Sequence, residues 1–251
     1  MKYRDMQMCA LALLLLCLAP LLSAAEITVS AASSLTNAFT DIGKEFEKAK
    51  GHKVLFNFGA SGSLLQQITR GAPVDVFAAA DLDTMDRAQK QNAIVKDTRQ
   101  NFVSNKLVVA TALRGPLVLG SLADLARADV QRIAMGIPDS VPVGRYTKAV
   151  LEGAKLWDLL QPKMIFAQNV RQCLDYIARG EVDAGFVYAT DAALVAGKVK
   201  TAFEVPTQKP IVYPIAVVKG NGQENLARAF IDFVRSDTSR RILAKYGFLE
   251  P

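Results

Sequence analysis

Residues 26–46 read EITVSAASSLTNAFTDIGKEF. The first six form a short run with β-branched residues at Ile27, Thr28 and Val29, the composition of a buried strand. Leu35, Phe39, Ile42 and Phe46 then follow at steps of four, three and four. That is one face of a 3.6-residue period, so a helix is predicted, ended by Gly51-His52. A small turn rich in Ser and Ala joins the two. The grammar repeats downstream. Residues 54–58 read as a strand and residues 63–70 as a short helix. Gly71-Ala72-Pro73 leads into an apolar strand at 74–80, and Asp81 caps a helix running to about residue 91. Strand and helix in strict alternation imply a parallel sheet covered on both faces.

The second half uses the same elements. Strands are predicted at 106–111, 133–137, 164–167, 183–188 and 201–205, and helices from 145 to 151 and beyond and over 171–179. Residues 212–218 return as a long strand. Two helices close the chain near 224–235 and 238–245, and Leu226, Phe230 and Phe233 give the first an apolar face. If 106–111 and 212–218 both cross between lobes, residues 26–106 and 212–251 form one lobe and 107–211 the other. The order of elements alone equally permits one continuous doubly wound sheet.

Upstream of this stretch the sequence changes character. Lys2 and Arg4 precede an apolar run at residues 8–22, and Ser23-Ala24-Ala25 follows. That is the pattern of a cleaved secretory signal peptide over residues 1–25. The run falls short of the ~20 residues that span a bilayer, and Pro20 interrupts it. Leu14-Leu15-Leu16 before Cys17 lacks the small residues of a lipid-attachment site. The remaining chain is expected to be exported, periplasmic and monomeric.

Composition narrows the class further. The 251 residues are 51% apolar and 22% charged, enough for a sizeable core and unlike a disordered or fibrous chain. Without Lys2, Arg4 and Asp5 of the leader, the formal +6 becomes +5. Its basic residues are scattered, so no nucleic-acid patch is expected. Cys9 and Cys17 leave with the leader, and Cys173 has no internal partner for a disulfide.

Catalysis finds few of its usual parts. His52 is the one histidine. A Ser-His-Asp triad would have to use it, and neither Ser34 nor Ser61 begins a Ser-x-x-Lys. One His and one distant Cys give no metal-ligand spacing. The glycine patterns of nucleotide sites are missing too. No enzyme activity and no cofactor are expected.

What recurs is a strand, a short turn of small residues and a helix start. Ser33-Ser34-Leu35, Gly59-Ala60-Ser61-Gly62, Pro142-Val143-Gly144-Arg145 and Asn169-Val170-Arg171 are the four cases. The first N–H groups of a helix lack intrahelical partners, and the helix dipole adds partial positive charge there. Such turns cradle anions. For each alone there is a plainer account. Ser34 and Ser61 would cap their own helices, Gly62 and Gly144 would relieve backbone strain, and Tyr188 would end a buried strand. The coincidence favours a site, because all four lie at carboxyl ends of strands, where α/β folds bind ligands.

These turns, with Gly71-Ala72-Pro73-Val74-Asp75-Val76-Phe77, Gly185-Phe186-Val187-Tyr188-Ala189-Thr190-Asp191 and Tyr213-Pro214-Ile215-Ala216-Val217-Val218, resemble the periplasmic molybdate-binding protein family in order along nearly the whole mature chain. The resemblance implies a two-lobed type II periplasmic-binding-protein fold. Each lobe would be a mostly parallel sheet flanked by helices, with ligand in the cleft between. It also implies delivery of molybdate, and tungstate, to the permease subunits of an ABC importer. On that pattern the oxyanion is held by the hydroxyls and backbone of Ser34 and Ser61, the N–H groups of Val143 and Val170, and the Tyr188 hydroxyl. Molybdenum would be bound only as its oxyanion. Val143 is larger than the residue usual there, which matters little if only its N–H is used. Arg145 stands where an uncharged residue is expected; from the first turn of a helix beside the site its side chain could reach the anion, but as a first-turn charge it is expected to point to solvent. Another ligand, such as sulfate, phosphate or an amino acid, would suit the same fold. Phosphate or an ammonium would want a carboxylate, for which Asp75 and Asp191 are the nearest candidates.

Overall fold

In a computed structural model, which describes residues 25–220 and 222–251, the expected leader lies outside the described residues apart from Ala25. Its strands are β1 (Glu26–Ala32), β2 (Lys53–Gly59), β3 (Val76–Ala78), β4 (Gln100–Asn105), β5 (Leu107–Ala112), β6 (Ile133–Gly136), β7 (Met164–Ala167), β8 (Ala184–Tyr188), β9 (Val199–Val205) and β10 (Ile211–Val217). They form two five-stranded sheets, ordered β2-β1-β3-β10-β4 and β7-β6-β8-β5-β9. Each sheet with its helices is one lobe of a type II periplasmic-binding-protein fold.

The helices of the first lobe are α1 (Thr36–Lys50), α2 (Ser61–Thr69) and α3 (Leu82–Lys90). Those of the second are α4 (Pro142–Gly153), α5 (Trp157–Leu160), α6 (Val170–Ala178) and α7 (Ala189–Leu194). Finally α8 (Glu224–Val234) and α9 (Asp237–Lys245) return to the first. Its sheet is buried on both faces, and the alternation along its strands divides the packing. Val76, Ala78, Ile215 and Val217 join the main core, while Phe77, Ala79, Ala216 and Val218 pack with Leu64, Leu65, Ile68 and Met85 of α2 and α3. On the main-core face Phe39 and Phe46 of α1 meet Phe230 and Phe233 of α8 in edge-on contacts, with ring centroids 5.3–6.2 Å apart. These are the apolar faces read from the sequence. Gly51 ends α1 in the left-handed region at φ 70°, a conformation that costs glycine little.

Both sheets are mixed. β1 pairs in parallel with β2 and β3, and β6 with β7 and β8. β10 runs antiparallel to β3 and β4, and β5 to β8 and β9. Four of the five strands in each sheet therefore run the same way, as the expected mostly parallel sheet requires, and one strand per sheet, β10 or β5, is reversed. The reason is connectivity: a strand entering directly from the other lobe, with no crossover helix, runs against the βαβ strands it joins. β4 has no counterpart among the predicted strands. Its sequence QNFVSN places polar residues at both ends, and it lies at the sheet edge, so it lacks the apolar run of the inner strands. Pro214 sits in inner strand β10, where the register shifts between Tyr213 and Pro214, the irregularity that accommodates a residue without an N–H.

Two connections join the lobes, β4 to β5 through Lys106 and β9 to β10 through residues 206–210. They run side by side, because Asn105 faces Ile211 in one sheet and Leu107 faces Val205 in the other.

Candidate functional site

The sheet orders create the site. β1 lies between β2 and β3, and β6 between β7 and β8, so connections leave to both sides of β1 and of β6. At such reversals the loops after the strands part and leave a crevice. Ser33 and Ser34 follow β1, Ser61 follows β2, and Ala80 follows β3. Across the cleft, Val143 follows β6, Val170 follows β7, and Tyr188 ends β8. All five predicted ligand residues, Ser34, Ser61, Val143, Val170 and Tyr188, line one small cavity with Ala32, Ser33, Gly59, Ala60, Ala80, Val141 and Pro142. Its lining contains no charged side chain.

Neither serine caps its own helix. A 3-10 turn over Ser33–Leu35 precedes α1, and the Ser34 Oγ lies 3.0 Å from the Tyr213 hydroxyl. Ser61 is the first residue of α2, and its Oγ accepts from the Ala80 N–H at 3.0 Å. Both are buried. Val143 and Val170 occupy the first turns of α4 and α6, where N–H groups have no intrahelical partner. The side chain of Asn169 caps α6 by accepting from Arg171 and Gln172, and leaves the Val170 N–H aside. The Tyr188 hydroxyl is buried with no hydrogen-bond partner among the described residues. Burial pushes its pKa well above the usual tyrosine range, so it is a protonated donor.

The glycines serve close approach rather than strain relief. Gly62 and Gly144 are absent from the positive-φ glycines. A Cβ on Gly144 would lie 2.1 Å from the Gly136 carbonyl oxygen, and one on Gly62 would lie 2.7 Å from the Ser140 oxygen of the other lobe. The Gly62 N–H donates to that same oxygen at 2.9 Å. The weak helix propensity of Ser-Gly and Val-Gly also explains why α2 and α4 begin before the predicted 63 and 145. Pro142, preorganised for the first helical position, starts α4.

Two arginines tie the closed lobes together. The expectation that Arg145 points to solvent is corrected. Its Nε and Nη2 reach Asp81 Oδ2 of the first lobe at 2.8 and 2.6 Å, and Nη2 also donates to Thr84 Oγ1. Its Nη1 donates to the carbonyls of Pro138 and Asp139. Asp81 both caps α3, as predicted, and receives this arginine. A planar guanidinium with five donors fits such a set, and bare solvent would leave buried Asp81 unpaired. Arg171 of α6 donates from Nη1 to Asn37 Oδ1 and from Nη2 to the Ser34 carbonyl, both in the first lobe. Its Nε lies 2.7 Å from Asp191 Oδ1. Burial pushes the Asp191 carboxyl up to about 6, and Arg171 offsets only part of that. Each arginine is thus matched by a buried carboxylate beside, and not within, the cavity. The sequence singled out neither Arg171 nor Tyr213 as a contributor. Each lay inside a quoted motif, but its partner is far away along the chain.

The other candidates lie elsewhere. His52 precedes β2, whose far end borders the cavity, and a seven-residue strand separates them by roughly 20 Å. Its Nδ1 accepts from the Ala25 N–H. It cannot act as base for either serine. Asp75 lies just before β3, and its Oδ2 accepts from the Thr28 N–H at 2.6 Å. It too is at the end of the sheet away from the serine turns. Neither Asp75 nor Asp191 lines the cavity, so it offers no carboxylate to a protonated ligand. Among the described residues, no group of three or more His, Cys, Asp or Glu is placed to hold a metal ion.

Comparison with known proteins agrees with this geometry. The family model of bacterial extracellular solute-binding proteins matches residues 27–249. The chain is 38% identical to the molybdate-binding protein ModA of Escherichia coli, covering 89% of this chain and 88% of that one. It is 37% identical to a putative ABC transporter substrate-binding lipoprotein, YvgL, of Bacillus subtilis, covering 88% and 85%. Among solved structures it is similar to the periplasmic molybdate-binding protein of Azotobacter vinelandii, with a TM-score of 0.80 at 26% identity, covering 90% of this chain and 99% of that one.

Proposed function

The chain belongs to the bacterial extracellular solute-binding proteins, and from that premise we propose that it captures molybdate, and tungstate with it, for an ABC-type importer. It acts as a carrier and not as an enzyme. Residues 26–106 and 212–251 make one lobe, residues 107–211 the other, and the anion lies between them. The oxyanion is held by Ser34, Ser61, Val143, Val170 and Tyr188. The observation that carries the reading is a buried lining of neutral donors in which the Tyr188 hydroxyl has no protein partner among the described residues. The names of the relatives support the choice of molybdate.

A dianion taken from water must recover its hydrogen bonds, or burial costs tens of kcal/mol in the Born limit. Hydrogen bonds to a charged group contribute about 1.5–3 kcal/mol each. Several in fixed positions supply the more than ~8 kcal/mol net that sub-micromolar binding needs. Arg145 and Arg171 add little net charge, since Asp81 and Asp191 neutralise them. Specificity follows from what is missing. Hydrogen phosphate carries a proton that must be donated, and a lining without a carboxylate leaves it unsatisfied. Sulfate carries no such proton and is excluded by its smaller size. Molybdate and tungstate are nearly equal in radius, so hydrogen bonding hardly separates them.

The leader directs the chain out of the cytoplasm, and the loaded, closed lobes dock as a monomer on the permease subunits. Native mass spectrometry of the mature protein, titrated separately with molybdate, tungstate, sulfate and phosphate, tests the assignment. One molybdate or tungstate per chain at micromolar concentration is expected, with neither sulfate nor phosphate bound. Equal occupancy by sulfate would overturn the specificity.

A further inference from the structure

We infer that Asn105 and Tyr213 are positioning residues that fix the direction of the Ser34 hydroxyl, so that Ser34 meets the anion as a donor. The inference rests on the proposed oxyanion site and goes beyond it, since neither residue touches the cavity.

The Lys106 N–H donates to Asn105 Oδ1 at 2.9 Å. A backbone N–H can only donate, so the orientation of the Asn105 amide is settled. Its Nδ2 then donates to Thr190 Oγ1 at 2.9 Å and to the Tyr213 hydroxyl at 3.2 Å. Both amide hydrogens are used. The Tyr213 oxygen is therefore an acceptor on that side, and its own proton is free for Ser34 Oγ at 3.0 Å. Run the other way, with Ser34 donating, the Tyr213 proton would have no acceptor among the described residues. Tyr213 is fully buried, so that arrangement carries the full desolvation penalty of an unmade bond. Burial also keeps the phenol protonated. With its acceptor side occupied, the Ser34 hydroxyl has its proton left for the cavity.

Ser61 reaches the same end by a shorter route. Its Oγ accepts from the Ala80 N–H, and its proton too is left for the cavity. One serine is polarised by backbone and the other by a side-chain relay. The relay spans both lobes, because Asn105 ends β4 at the connection and Thr190 belongs to α7 of the second lobe.

A double-mutant cycle read by calorimetric titration with molybdate tests this. Tyr213→Phe is expected to weaken binding about five- to thirtyfold in the wild-type background and less than twofold in Ser34→Ala, because it acts only through Ser34. Tyr213→Phe should also gain measurable hydrogen phosphate binding, since Ser34 Oγ is freed to accept. Equal losses in both backgrounds, or no loss in the wild type, would overturn the relay. If Tyr213→Phe fails to fold, Asn105→Ala is read through the same molybdate cycle: a loss in the wild-type background that shrinks below twofold in Ser34→Ala is expected, and equal losses in both would overturn the relay. Wild-type protein that bound no molybdate would instead overturn the oxyanion site itself.

Discussion

Replacing Gly62 by alanine should weaken ligand binding while leaving the free protein as stable as before or more so. Gly62 sits in the second position of α2, and its N–H crosses the cleft to the Ser140 carbonyl at 2.9 Å. An alanine Cβ would lie 2.7 Å from that oxygen and 2.8 Å from the Ser140 Cα. Both are backbone atoms, so no rotamer change relieves the clash. Ordinary contact begins near 3.4 Å, so the lobes must part by about 0.7 Å at this point. The interlobe hydrogen bond then lengthens past its useful range, a loss of about 1 kcal/mol. Residual overpacking adds roughly 1–3 kcal/mol. Only the closed form bears these costs. At 1.4 kcal/mol per factor of ten, molybdate affinity should fall roughly 30- to 700-fold. In the open form the contact with Ser140 is gone, and alanine favours a helix over glycine by up to about 1 kcal/mol. Calorimetric titration with molybdate, paired with thermal melts of the ligand-free protein, reads both signs. An alanine variant that bound within twofold of wild type would refute the argument that Gly62 is there for lobe contact.

Tyr188→Phe should behave similarly for a different reason: removing a buried, unpartnered hydroxyl leaves the ligand-free melting temperature unchanged or raised, while molybdate affinity drops about ten- to a hundredfold for one lost charge-assisted bond. A drop in the ligand-free melting temperature with affinity intact would contradict it. Arg145→Ala strands Asp81 at the cleft edge, and a partly exposed ion pair of this kind should cost affinity about tenfold, with Arg145→Lys recovering part of it; titrations of the three proteins decide. For Asp191, burial raises the folded-state carboxyl to about 6, while the unfolded value is near 4. The native state then holds its proton more tightly, so this contribution to stability is full below pH 4 and is lost as the pH rises to about 6. Melting temperatures of wild type and Asp191→Asn across pH 4–7 should therefore diverge in slope within that window, and parallel curves would rule the effect out.

Much of the fold was legible because its signals are local. The 35/39/42/46 spacing forces α1 onto a sheet, and the phenylalanines of α8 meet it there. β4 escaped because an edge strand with polar ends has no such signature. The turns that gather the cavity were legible for the same reason, since a strand that stops in small residues before a helix exposes N–H groups wherever it occurs. The capping account of Ser34 and Ser61 was equally local and is not realised, because better-placed distant groups took their oxygens. Arg145 shows the limit most clearly. A first-turn arginine next to a site reads as solvated unless one knows that Asp81, 64 residues earlier, is buried opposite it.

The alternation of strands and helices, the positions of the four turns and the small, uncharged residues at their helix starts are written in the local pattern of the chain. These depend on periodicity, propensity and side-chain type, all of which act within a few residues. Which hydroxyl donates to which oxygen, the bridging of the lobes by two arginines and the exclusion of the carboxylates from the cavity emerge only once the two sheets face each other. Ser34 and Tyr213 are 179 residues apart, and Arg171 and Ser34 are 137 apart. A hydrogen bond is directional and short-ranged, so its partner is fixed by how two sheets face each other and by nothing written near either residue.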